Sequence, residues 1–321
     1  MLLFTYLPLR LIKRNKMSLL TVGTVAFDTI ETPYGRAERV IGGACTYISW
    51  SASYFTNNIH LVSIVGDDFP NAELKRLEDR GVNLDGLKIV KGGKSFFWEG
   101  RYHNNMNTRD TLVTDLNVLA DFDPILPLSA KSCKFVMLGN LTPSIQKSVL
   151  DQLDGTQKLI ALDTMNFWMD IAMDELKHVI SRIDLLTIND EEARQLSGEH
   201  SLVNAAKVIH QMGPKYLVIK KGEHGALLFC DEDIFYAPAL PLAQVFDPTG
   251  AGDTFAGGLM GYLAKTEDTS MDNMKRAIIT GSAMASFCVE DFSLNRLQGL
   301  SMPEITERLE KFKKLMHFDL I

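Results

Sequence analysis

Short apolar runs rich in Val and Ile recur at residues 19–27, 59–65, 135–139, 159–163, 185–189 and 216–220. Runs of this length without polar alternation read as strands buried on both faces, which is how parallel sheets are built. Between them, residues 47–55, 70–80, 143–153, 170–180, 190–196 and 201–212 carry helical patterning. Strand and helix in turn predict an α/β fold with a central, mostly parallel sheet and helices on both faces. After Gly225, GALLFCD and IFYAPAL read as an antiparallel extension of that sheet, and further helices are expected over residues 252–265, 271–287 and 303–315.

Two segments break the alternation. Residues 31–40 and 88–114, the second containing SFFWEGRYHNN, read as strands with no helix after them. The first sixteen residues are apolar and then basic, the reverse of a secretory signal; they are too short to span a bilayer and are interrupted by Pro8. They read as a disordered extension or an upstream start, so the folded domain is expected over residues 17–321. A length of 321 residues suits one large α/β domain.

Composition narrows the partners. The net charge of −7 comes from scattered acidic residues, and neither nucleic acid nor an anionic membrane is expected without a basic footprint. The four cysteines, Cys45, Cys133, Cys230 and Cys288, form no CxxC pair, which fits a reducing cytosol.

Chemistry concentrates in VFDPTGAGDT, residues 245–254. A glycine-rich turn there hands a strand over to a helix, leaving backbone N–H groups of the first helical turn pointing at one spot, an anion site. Gly250, Ala251 and Gly252 would form the cradle, and Asp253 would take a proton from an attacking hydroxyl. This combination suits phosphoryl transfer, whose transition state needs positioning and electrostatic help more than covalent chemistry. A bland alternative is a tight turn with an Asp complementing the helix dipole. No GxxxxGK[ST] occurs, Phe255 stands where a dinucleotide fingerprint needs its last glycine, and the HRD and DFG signatures of protein kinases are absent.

DPTGAGDTFAGG resembles the C-terminal signature of the ribokinase, or PfkB, family of carbohydrate and nucleoside kinases. IGGACTYISWSASYF at residues 41–55 is similar to its N-terminal di-glycine motif, GDDF follows at 66–69, and TINDEEA at 187–193 is similar to its NxxE motif. The resemblance spans residues 18–314. It implies a ribokinase-like fold whose extra strands, about 31–40 and 88–114, form a small β lid that excludes water from the sugar site. It also implies ATP and Mg²⁺, a sugar, polyol or nucleoside as substrate, and lid strands that either cover the site alone or also pair in a homodimer; the cytoplasmic location is the expectation from the cysteines.

Individual residues follow from that resemblance. Asp28 ends the first apolar run, where open α/β sheets bind ligands, and can accept two hydroxyls or simply serve a turn. Gly42 and Gly43 would let backbone approach the substrate. Tyr47 departs from the Asn of simple sugar kinases, and its ring would stack on a base or sugar face or merely fill space. Asn189 and Glu192 would serve the phosphates and water-bound Mg²⁺, or cap a helix. Lys220, Gly222 and Gly225 resemble the loop beside the nucleotide. Asp247 and Thr249 resemble a monovalent-cation site, implying potassium. Arg101 and Arg109, near the lid, could meet an anionic substrate or simply be solvated. The activity implied is an ATP-dependent kinase acting on an alcohol of a sugar or polyol; a nucleoside kinase and a non-catalytic sensor are the other readings.

Overall fold

The computed structural model describes residues 18–319. The extension expected over residues 1–16 lies outside them. The main sheet contains β1 (Leu19–Val22), β4 (Ile59–Gly66), β5 (Val82–Val90), β8 (Phe135–Leu138), β9 (Leu159–Asp163), β10 (Leu185–Asn189), β11 (Tyr216–Lys220), β12 (Ala226–Cys230) and β13 (Asp233–Ala237). Their order is β13-β12-β11-β10-β9-β8-β1-β4-β5. Pairing is parallel from β5 across to β11 and antiparallel only at β12 and β13.

Successive side chains of a strand face opposite ways, and here each face meets its own core. Leu19 joins the core beneath the helices Ala44–Ala52, Ala251–Thr266 and Met271–Cys288, while Leu20 and Val22 join the core on the other side with Leu138, Leu162 and Ile188. Near-continuous burial of these strands explains why they read as unbroken apolar runs.

A second sheet forms the lid. Its strands β2 (Ala26–Thr32), β3 (Gly35–Gly42), β6 (Phe96–Tyr102) and β7 (Arg109–Asp115) run in the order β3-β2-β6-β7. Two expectations need correcting here. The run at 19–27 is two strands, not one: β1 ends at Val22, and β2 leaves for the lid. At Gly23, between them, a β-carbon would come within 3.1 Å of the Cys45 backbone nitrogen, so the chain passes tightly under the helix Ala44–Ala52. Asp28 therefore does not close a strand of the main sheet; it lies within lid strand β2. Residues 88–90 belong to β5 of the main sheet, and the lid begins at Phe96.

Candidate active site

Three strand ends line up along one edge of the main sheet. Asp163 ends β9, Asn189 ends β10 and Lys220 ends β11, with Asn189 in register with Lys220 and Thr187 with Asp163. The Lys220 ammonium lies 3.2 and 3.4 Å from the two Asp163 oxygens. Burial works against the lysine charge, but Asp163, Glu192 and Asp253 outweigh it and hold its pKa above the ordinary lysine value.

The glycine-rich turn sits against this edge. Gly250 caps the helix Ala251–Thr266 in a left-handed conformation, φ 74°. A β-carbon at Gly252 would meet the Lys220 Nζ at 3.2 Å, so the ammonium faces the first helical turn. Ala251 donates its N–H to Pro248 O at 3.2 Å. The expected cradle is corrected accordingly: among the described residues, Gly250, Gly252 and Asp253 are the ones of this turn whose N–H groups have no internal acceptor. Burial first, and then the charge of Asp163, push the Asp253 carboxyl up to about 7, against the pull of Lys220 and Arg109.

Asp28 lies opposite, 5 % exposed. A β-carbon at Gly42 would overlap its carboxylate, so glycine there is what lets Asp28 lie flat. Burial, then the charges of Asp247 and Asp253, raise its pKa to about 8, while a hydrogen bond from the Gly43 backbone opposes the rise. Asp28 and Asp253 are two carboxyls with displaced titrations, near enough for the charge of Asp253 to raise Asp28, and such a pair can hold a hydroxyl between them.

Tyr47 is not where substrate stacking requires it. The helix begins at Ala44, three residues earlier than the pattern suggested, because Gly43 adopts φ 92° and caps it. The ring is fully buried, in van der Waals reach of the Gly250 turn, and its hydroxyl has no partner among the described residues. It supports the turn from below and offers no open face to a ligand.

Asn189 and Glu192 form a complete capping box: Glu192 N–H donates to Asn189 Oδ1 at 2.8 Å, and Asn189 N–H donates to Glu192 Oε2 at 2.7 Å. The other Glu192 oxygen has no hydrogen-bond partner among the described residues; the pKa of this carboxyl is raised to about 7 by burial, partly offset by Lys220. Gly222 opens a short 3₁₀ turn and faces the lid, its β-carbon position 3.1 Å from Asn107 Oδ1. Gly225 answers an internal need instead: a side chain there would strike the backbone of Ala237, and its carbonyl accepts the Lys221 N–H.

Asp247 is almost fully buried and clips two turns together, accepting Thr249 N–H at 2.8 Å and Ser293 N–H at 3.1 Å. The Thr249 hydroxyl donates to the Tyr102 oxygen at 3.2 Å, tying lid to turn. Among the described residues, no group of three His, Cys, Asp or Glu side chains is arranged as a metal cage. Two surface hollows, one bordered by Asp123, Lys147 and Asp151 and one by Trp50, Arg76 and Arg80, share no residue with this site.

Asp163 and Tyr102 were missed by sequence reasoning. Asp163 had a usable signal, an acidic residue closing a buried run beside two other polar strand ends. Tyr102 had none, because its partner lies 147 residues away.

A family model described as pfkB family carbohydrate kinase matches residues 17–297. A cytidine kinase of Thermococcus kodakarensis is 30% identical over 253 residues, 77% of this chain and 88% of that protein. Among solved structures, a nucleoside kinase of Methanocaldococcus jannaschii has a TM-score of 0.73 at 20% identity, covering 92% of this chain and 99% of that one. A ribokinase of Arabidopsis thaliana, complexed with ribose and ATP, has a TM-score of 0.75 at 20% identity with the same coverage. The fold is thus ribokinase-like, and the chain belongs to the pfkB family of carbohydrate kinases, phosphotransferases with an alcohol group as acceptor.

Proposed function

We propose that this protein transfers the γ-phosphoryl group of ATP to a hydroxyl of a sugar or sugar-like polyol held between the main sheet and the lid. The observation that carries the reading is the convergence of Asp253, the free N–H groups of Gly250, Gly252 and Asp253, and the Lys220 ammonium at one helix start. Asp253 takes the hydroxyl proton, and Asp28 holds the acceptor from the lid side. The N–H groups and Lys220 meet charge as it develops on the phosphoryl oxygens.

Magnesium fits the free oxygen of Glu192, which would hold it through water. When bound, the ion neutralises phosphate charge. Potassium enters the proposal through Asp247 and Thr249, whose carboxylate and carbonyl oxygens retain lone pairs; turnover with and without potassium tests it. A homodimer would pair the open lid edges β3 and β7, beside exposed Tyr34 and Leu112, and sedimentation reads it directly. No helix among the described residues is long and apolar enough to cross a membrane. All four cysteines are buried and free, which suits the reducing cytosol in this reading.

A nucleoside acceptor is the second reading, favoured by the cytidine kinase at 30% identity. An ATP-turnover assay over ribose, inositol, cytidine and inosine separates the readings. Acceptor-dependent ADP release with one class selects that class. Nucleotide binding without turnover on any acceptor would instead indicate a sensor.

A further inference from the structure

The lid carries four arginines, and three of them are neutralised. Arg36 pairs with Glu31, Glu38 and Glu99, Arg39 with Asp68, and Arg101 with Glu31. Arg109 has no carboxylate partner among the described residues. Its guanidinium carbon lies 5.8 Å from the Trp98 ring centroid, and its side chain also reaches the Tyr102 hydroxyl.

Its direction follows from the strand register. Arg109 and Tyr102 are directly opposite on antiparallel β7 and β6, and opposed residues project from the same face of a sheet. Tyr102 is buried, with its oxygen bonded to Thr249 on the glycine-rich turn. The face that carries Arg109 is therefore the face the lid turns toward the anion site. The hairpin joining these strands is docked at a second point, where Asn107 approaches Gly222. Arg109 thus stands at the lid hairpin, between a contact to the phosphate turn and a contact to the nucleotide loop. Burial raises Asp253, and the Arg109 charge is among those drawing it back, so its field reaches that carboxyl.

We propose that Arg109 is a catalytic residue, delivering a guanidinium from the lid to the phosphoryl group as it is transferred. This rests on the kinase reading above. In that step the acceptor oxygen bonds to the γ-phosphorus, the bond from phosphorus to the ADP oxygen breaks, and the acceptor proton passes to Asp253. Arg109 exchanges no proton; its fixed fork of donors meets two equatorial oxygens at once. Lys220 approaches the same group from the sheet, so docking the lid closes a two-sided cationic clamp.

Binding of Mg–ADP is compared with binding of Mg–ADP plus aluminium fluoride, a mimic of the phosphoryl group in flight, with D-ribose and cytidine both present as acceptor probes. Wild type is expected to gain affinity on adding fluoride. Arg109→Ala should lose at least about tenfold of that gain, with ADP affinity within about twofold of wild type and an unchanged Tm. Arg109→Lys should recover part of the gain, since it restores the charge without the fork. An Arg109→Ala protein that keeps the full gain, or that loses ADP and the mimic equally, overturns the proposal. So does a wild type that binds ADP but gains nothing from fluoride. A wild type that binds no nucleotide strikes the kinase reading itself.

Discussion

Gly250 rests directly on the Tyr47 ring: a β-carbon at Gly250 would lie 2.5 Å from ring atoms Cε2 and Cζ, and the residue holds φ 74°. Space and backbone conformation both require glycine there. Gly250→Ala should cost about 1–2 kcal/mol from the left-handed backbone alone and more from the clash, and it should lower turnover by tilting the helix start. Tyr47→Phe removes a buried hydroxyl without a partner. It should be neutral or stabilising by up to about 1 kcal/mol, as read by thermal unfolding. Loss of stability in Tyr47→Phe would mean the hydroxyl has a partner.

Lys220 depends on Asp163 for its position. Asp163→Asn should leave the ammonium free to swing from Gly252, raising the KM for ATP and lowering kcat. It should also cost about 1–3 kcal/mol, the usual range when one partner of a charged, largely buried hydrogen bond is lost. Steady-state kinetics with varied ATP measures the first effect and chemical denaturation the second. Unaltered ATP kinetics would separate Asp163 from the site.

The Asp28 pKa, about 8 against an ordinary 3.8, has a signed consequence for stability. The folded state binds this proton more tightly than the unfolded state, so Asp28 lowers stability progressively as the pH rises from about 4 to about 8. Asp28→Asn should match wild type near pH 4 and exceed it at pH 8, by roughly 2–4 °C in Tm per kcal/mol regained, while losing acceptor binding. Equal melting temperatures at pH 8 would contradict a buried, hard-to-ionise carboxyl.

Much of this architecture was legible in the chain because its causes are local. Buried parallel strands write themselves as apolar runs, and the phosphate turn is a contiguous motif from Asp247 to Asp253. Other features escaped because their causes are distant in sequence. Tyr47 looked available for stacking because nothing in GGACTY reveals that the Gly250 turn, about two hundred residues on, closes over the ring. The break between β1 and β2 falls at Gly23, which packs closely against Cys45 far along the chain, and it leaves Asp28 in the lid instead of the main sheet. Arg109 read equally as a contact for an anionic substrate or as a solvated arginine until strand register gave it a direction.

The lid is fastened to the phosphate turn by the hydrogen bond between Thr249 and Tyr102. Tyr102→Phe should keep the fold, within about 1 kcal/mol, yet raise the KM for the acceptor by loosening the lid. It should also increase ATP hydrolysis without acceptor, because water is less well excluded. A ratio of hydrolysis to transfer equal to wild type would show that the contact does not hold the lid.

The central claim is that Asp253 accepts the acceptor's proton beside the anion cradle. The most direct measurement is kcat for ATP-dependent phosphorylation by Asp253→Asn against wild type, with the best acceptor from the panel, across pH 5–9. Wild-type kcat/KM should rise with pH and level off above about 7, where the carboxylate is ionised. The variant should be slower by roughly 10² to 10⁴, with little change in the KM for ATP. Wild-type turnover by Asp253→Asn would contradict the account.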